Sequence, residues 1–425
     1  MESFVQLVLS LIAIILLAWL AMALGKPLGI STVALQLLIG VLLGPSLFNL
    51  LGTPMIVGTW GSISPSPLHH ILKMLAEIGL IQLMFLAGLR TDWRQVKTAF
   101  DPVLSVGAWE FILTAAGTSL LAYFFVRRWP EALAVGAIMG TSSFGISVYH
   151  LMEMNLSKSS PANRIAGSAA VAGVLALLLM VGSLAAHYAL IHGFFRMIIA
   201  VSWFLGKLVM FFAVAYFLTS RFLNRAAKGL QKNPRQMLIG YLFLVAALYA
   251  WGTLHFGSFA AVVIASLGGA LMGISRFKPG ERIARGLGSG LPLLAIGVFL
   301  IVLGMEINLG EVGPHILFSA LLLTTVIAAK AIGYRVGLRK GLDASWEQRL
   351  ILVGTLPQGE MGMLIAAYLF SRGLLNPSIF GSCVAVVIVL TMISASLSRI
   401  VFQGRRLEGQ EVPSGRKNST ETSLH

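Results

Sequence analysis

Glu110, Lys330 and Glu360 stand inside otherwise apolar runs of the chain. An ionisable side chain in hydrocarbon is costly, so each is expected to face a polar interior and to bind or pass charge. Glu360 closes the segment Pro357-Gln358-Gly359-Glu360, and Thr141-Ser142 lies within Gly140-Thr141-Ser142-Ser143-Phe144-Gly145. Gly, Thr, Ser and Pro in the middle of such runs weaken the i to i−4 ladder and free carbonyl and N–H groups. At membrane depth those groups are tolerated only beside protein or a water-filled cavity. Two opposed pairs of half-helix ends, with a carboxylate nearby, can hold an ion near the midplane. The candidate binding residues are therefore Thr141, Ser142, Glu110, Lys330, Gln358 and Glu360. Two plainer readings stand beside this one: packing through small residues at Thr141-Ser142, and snorkelling of Lys330 to an interface about 10 Å away.

The remaining chemistry is sparse. The histidines at 69, 70, 187, 192, 255 and 315 fall at span ends or gaps, where an imidazole is easily solvated, and His150 lies near the cytoplasmic end of its span. Without paired helical spacing they form no metal site. No phosphate-binding Gly loop, zinc motif or hydrolase elbow is present, so neither a cofactor nor an enzyme is expected. The single cysteine, Cys383, excludes a disulfide within one chain.

The elements that must position these residues follow from composition. The chain has 425 residues, 57% hydrophobic and 11% charged, where a soluble chain carries about a quarter charged. The apolar residues fall in blocks of roughly 18 to 25, the length of a membrane-crossing helix. About thirteen spans are expected, over 3–24, 30–50, 71–90, 102–126, 130–152, 161–185, 195–219, 235–252, 256–275, 284–306, 314–337, 347–371 and 377–403. Residues 404–425 read as a disordered cytoplasmic tail. The run 3–24 lacks a basic leader and is not read as a cleavable signal.

The net charge of +15 could suggest nucleic acid, but the basic residues occupy short gaps between apolar blocks. Alternate gaps hold 24 of the 31 Lys and Arg, and the other gaps hold four. By the positive-inside rule the N-terminus is outside and the C-terminus cytoplasmic. Spans 1–6 echo spans 8–13 in the opposite sense, with span 7 as a linker. Ile78-Gly79 and Ile296-Gly297 correspond, and each half carries one broken span. That is the inverted repeat of secondary transporters.

Leu37-Leu-Ile-Gly-Val-Leu-Leu-Gly-Pro-Ser46, Leu75 to Leu89, Met139-Gly-Thr-Ser142, Lys330-Ala-Ile-Gly333 and Pro357-Gln-Gly-Glu360 occur in that order. Together they resemble monovalent cation:proton antiporters, the branch with bacterial sodium/proton exchangers and Kef-type potassium efflux systems. The resemblance implies an all-α membrane fold with two crossing broken helices. It implies a moving core of spans 4–6 and 11–13, a dimer-forming panel of spans 1–3 and 8–10, and a homodimer in a bacterial-type inner membrane. It also implies exchange of a monovalent cation for protons at an adjacent pair containing Asp. Aligned on Gly167 to Val171, that pair falls on Ala172-Gly173, which offer no carboxylate. Glu110 or Glu360 is the expected replacement, restrained by Lys330. The alternatives are an anion or organic solute, drawn by an unpaired Lys330 facing two positive half-helix ends, and a non-transporting scaffold or sensor. A 22-residue tail is too short for the nucleotide-binding domain of Kef-type systems.

Overall fold

The computed structural model describes residues 4–25, 30–44, 67–91, 96, 100–156, 159–193, part of 195–221, 291–305, 309–338 and 345–407. The expected spans 235–252 and 256–275 lie outside the described residues, as do most of 195–219 and the tail beyond 407. Every regular element among the described residues is helical. These are α1 (Phe4–Gly25), α2 (Thr32–Leu43), α3 (Pro67–Arg90), α4 (Phe100–Val126), α5 (Trp129–Met139), α6 (Phe144–Glu153) and α7 (Ser160–His192). After them come α8 (Leu291–Met305), the single turn α9 (Leu309–Val312) with a 3-10 turn at Gly313–His315, α10 (Ile316–Gly337), α11 (Ser345–Gly354), α12 (Gly359–Ser371) and α13 (Pro377–Leu407).

Local sequence sets the helix starts. Pro130 and Pro161 sit in the first turns of α5 and α7, where a missing N–H costs nothing. Ser159 caps α7 by accepting from Ala162 N. This helix runs seven residues past its expected end, because Leu184 to His192 stays a good helical sequence up to Gly193.

Six helical stretches among the described residues are long and apolar enough to cross a membrane. Two of them, Trp129–Glu153 and Trp346–Ser371, are interrupted, and these are 94% and 89% buried over their apolar windows. Of the four unbroken stretches, Asp101–Val126, Ser160–Ile191 and Ile316–Gly337 are 28–39% buried and Pro377–Gln403 is 78% buried. Freed backbone groups therefore lie inside protein, as the absence of water in hydrocarbon requires.

Helices α1, α2, α3 and α8 pack on one another, and α4–α7 with α10–α13 form a second group. The two groups meet where α3 lies on α6 and α2 on α13. In the second group the most extensive packing joins α4 and α10, the helices that carry Glu110 and Lys330. They approach through Gly333, where an added Cβ would lie 2.6 Å from Glu110 Cα. Gly333→Ala is expected to force the pair apart and to destabilise the protein by about 1–3 kcal/mol. At Gly173 the nearest atom to an added Cβ is Met361 Cε at 3.5 Å, an ordinary contact. Gly173→Ala should therefore leave the melting temperature in detergent unchanged or higher, and the two melting curves side by side check the contrast.

Candidate functional site

The two breaks cross, and each half-helix end is met by a group of the opposite charge. α5 stops at Met139, with Gly140 as its cap and Thr141 to Ser143 outside helix. α11 stops at Gly354, and Thr355 to Gln358 form the second break. Between these two carbonyl-rich ends lies the ammonium of Lys330, fully buried at 0% exposure. Its Nζ donates to Thr141 O (2.8 Å), Thr355 O (2.7 Å) and Ser142 Oγ (2.9 Å), with Leu356 O at 3.4 Å. Helix C-termini carry partial negative charge, so one ammonium serves both.

The opposite pair of ends is served by Glu360. Its carboxylate accepts from Gly145 N at 2.8 Å and from the Ser143 hydroxyl, both at the start of α6. The residue itself lies in the first turn of α12. It is thus placed where two helix N-termini favour an anion. Gly359, at φ +38°, makes this approach possible: a Cβ there would stand 2.6 Å from Ile146 Cδ1 and 2.9 Å from Ser143 Oγ.

Further bonds tie the breaks together. Ser142 Oγ donates to Thr355 O (2.9 Å), Ser143 N to Pro357 O (2.6 Å), Ser147 Oγ to Gly354 O (2.9 Å) and Gln358 Nε2 to Met139 O (2.5 Å).

Glu110 is 1% exposed and joins this crossing through Thr355. The Thr355 hydroxyl donates to Glu110 Oε1 (2.8 Å), while the Thr355 carbonyl accepts from Lys330 (2.7 Å). No direct ion pair joins Glu110 to Lys330 among the described residues. Glu110 Oε2 is buried without a hydrogen-bond partner, and so is Gln358 Oε1.

All six candidates from the sequence therefore belong to one site, with two corrections. Lys330 is not a snorkelling residue: it points into the protein. Nor does it face positive helix ends, because its partners are carbonyls, so the electrostatic premise for an anion site fails. Thr355 and Ser143 were missed. A Ser directly ahead of the apolar restart at Phe144 is a legible N-cap signal, whereas the role of Thr355 depends on a contact 245 residues away. Ala172 is fully buried and Gly173 faces Met361. Among the described residues no group of three or more His, Cys, Asp or Glu could hold a metal ion.

Interrupted helices that cross in a buried, polar, charge-compensated centre define the architecture of a secondary transporter. The comparisons agree. The family described as "Sodium/hydrogen exchanger, transmembrane" matches residues 12–403. The Na(+)/H(+) antiporter of Enterococcus hirae is 25% identical over 86% of this chain and 90% of its own length. The Na(+)/H(+)-K(+) antiporter GerN of Bacillus cereus is 24% identical over 94% of this chain and 96% of its own. The solved structure of the sodium proton antiporter MjNhaP1 from Methanocaldococcus jannaschii superposes with a TM-score of 0.68 at 14% identity, covering 95% of this chain and 97% of that one. The chain belongs to the sodium/hydrogen exchanger family. It is a multi-pass membrane protein of a transporter family, not an enzyme.

Proposed function

We propose that the protein exchanges a monovalent cation for protons, with Glu110 as the carboxylate that binds one or the other. The observation that carries this reading is the division of labour at the crossing. Glu360 is committed to two helix N-termini and Lys330 to two C-termini, so neither is free to load and unload an ion. Glu110 has one oxygen held by Thr355 and the other without a protein partner. A buried carboxylate with one oxygen unpaired is suited to alternate between a proton and a small cation, because either neutralises a charge that burial penalises. Side-chain and backbone oxygens are the ligands that hard cations prefer. The relatives named as antiporters make the same exchange the first expectation for this chain.

In this reading α4–α7 and α10–α13 form the moving core, and α1, α2, α3 and α8 belong to the panel of a homodimer. The protein lies in a bacterial-type inner membrane with its C-terminus cytoplasmic, the orientation that the 24-to-4 split of basic residues favours. The test is reconstitution into proteoliposomes containing a pH-sensitive dye. Pulses of sodium, potassium or lithium should each be tried, and at least one is expected to alkalinise or acidify the lumen in proportion to protein. No pH response to any alkali cation, with uptake of an anion or organic solute instead, would overturn the reading.

A further inference from the structure

Where α1 gives way to α2, two helix ends are completed by residues of the other helix group. α1 has no basic residue in its last turn, although the final carbonyls of a helix carry partial negative charge. Arg399, from α13, supplies the positive charge: its Nη1 donates to Gly25 O (3.2 Å) and to Ile30 O. Ser31 stands immediately ahead of α2 in extended conformation, the position from which a serine ordinarily caps its own helix. Its hydroxyl makes no such cap. It is hydrogen-bonded instead to Nδ1 of His150, in the last turn of α6, at 3.2 Å.

These ties are directional, and the packing further along the same interface is not. A hydrogen bond of this length is gone once its atoms part by about half an ångström, so neither tie survives a displacement of one group against the other. Where α3 meets the start of α6 the contact is apolar: an added Cβ at Gly145 would lie 2.7 Å from Met84 Sδ and 3.1 Å from Leu83 Cγ. Apolar contact has no preferred direction and can slide. Ser31 is 1% exposed and His150 5%, so their bond is shielded from water while the groups are closed.

We infer that Arg399 and the Ser31–His150 pair form a latch, which holds the core against the panel in this conformation and must open whenever the core moves. The inference rests on the moving-core reading above. In the closed state Gly25 O, Ile30 O and the Ser31 hydroxyl are all satisfied across the interface. In the open state water has to take over each of these bonds, and the end of α1 loses its positive charge. The closed state is favoured to that extent. A hydrogen bond to a charged group shifts an equilibrium by about tenfold or more, so Arg399 sets much of the bias. The α1–α2 connection is thereby the place where the panel senses the position of the core.

The test uses full-length protein in proteoliposomes, with Cys383→Ala removing the native cysteine. His150 and Arg399 line an open cleft of about 200 Å³, so thiol reagents can reach this end of the molecule. In one arm Ser31→Cys and His150→Cys are joined by a short bis-methanethiosulfonate. The joined protein is expected to lose nearly all exchange and to regain it in dithiothreitol. In the other arm Ser31→Cys alone is labelled with a maleimide, which reads the open fraction because the side chain is buried when closed. Adding Arg399→Gln should speed labelling by about tenfold at an unchanged melting temperature. Arg399→Lys should restore part of the protection, since it keeps the charge at the end of α1. Exchange at full rate in the joined protein would overturn the latch, and so would labelling that Arg399→Gln leaves unchanged. Inactivity of the wild-type protein towards every alkali cation would overturn the antiporter reading, while the labelling rates would still decide the latch.

Discussion

Lys330→Met is expected to unlock the crossing and to cost about 3–5 kcal/mol, the usual penalty for removing one partner from a buried charge-compensated set. Methionine matches the length and fits the apolar part of the space, so the loss reports the ammonium and not a cavity. Without it Thr141 O loses its donor and Thr355 O keeps only the Ser142 hydroxyl, and two half-helix C-termini face each other with no positive charge between them. Each buried acceptor left unpaired costs roughly 1–3 kcal/mol. The loss should be visible as a large fall in the detergent melting temperature, together with loss of transport. Lys330→Arg should recover only part of it, because a planar five-donor head cannot reproduce a compact point charge between converging carbonyls. A Lys330→Met protein that melts like wild type would show that the breaks hold themselves.

Glu110→Gln should behave in the opposite manner: a normal fold and almost no exchange. The amide keeps the shape and can still accept from Thr355, so the melting temperature should change little. It carries no charge that a proton or a cation can neutralise, and the rate should fall by about a hundredfold or more, the scale of losing an essential titrating group. Glu360→Gln is the control that separates the two carboxylates. Its main loss should be in stability, because the anion that two N-termini hold becomes neutral, with exchange falling only as the folded fraction falls. If Glu360→Gln abolished exchange in a well-folded protein while Glu110→Gln did not, the roles assigned to the two residues would be reversed.

Much of this centre is legible in the sequence because its signals are local. Gly140 to Gly145 and Gly354 to Gly359 interrupt long apolar runs, and a helix interrupted in hydrocarbon must be covered by protein. Glu110, Lys330 and Glu360 stand out because charge in such runs is costly. The pairing among them is not local. Which half-helix ends meet Lys330 depends on how the two breaks cross, and the sequence alone suggested positive ends where the structure has carbonyls. Ser31 and His150 lie 119 residues apart, and nothing in the spacing of a lone histidine near a helix end points to its partner.

The absence of a carboxylate at Ala172-Gly173 is equally plain in the sequence, but its consequence is not. The structure shows an ordinary contact from Gly173 to Met361 and a carboxylate, Glu110, on a neighbouring helix, since α4 packs against α7. In the proposed reading Glu110 on α4 takes the place of a carboxylate on α7.

Proton release on cation binding tests this exchange most directly. In weakly buffered detergent solution, adding the transported alkali cation to wild-type protein should release up to about one proton per chain, because a carboxylate must shed its proton to take the cation. Glu110→Gln should release none. Equal release from Glu110→Gln, or none from a wild-type protein that binds the cation, would contradict it.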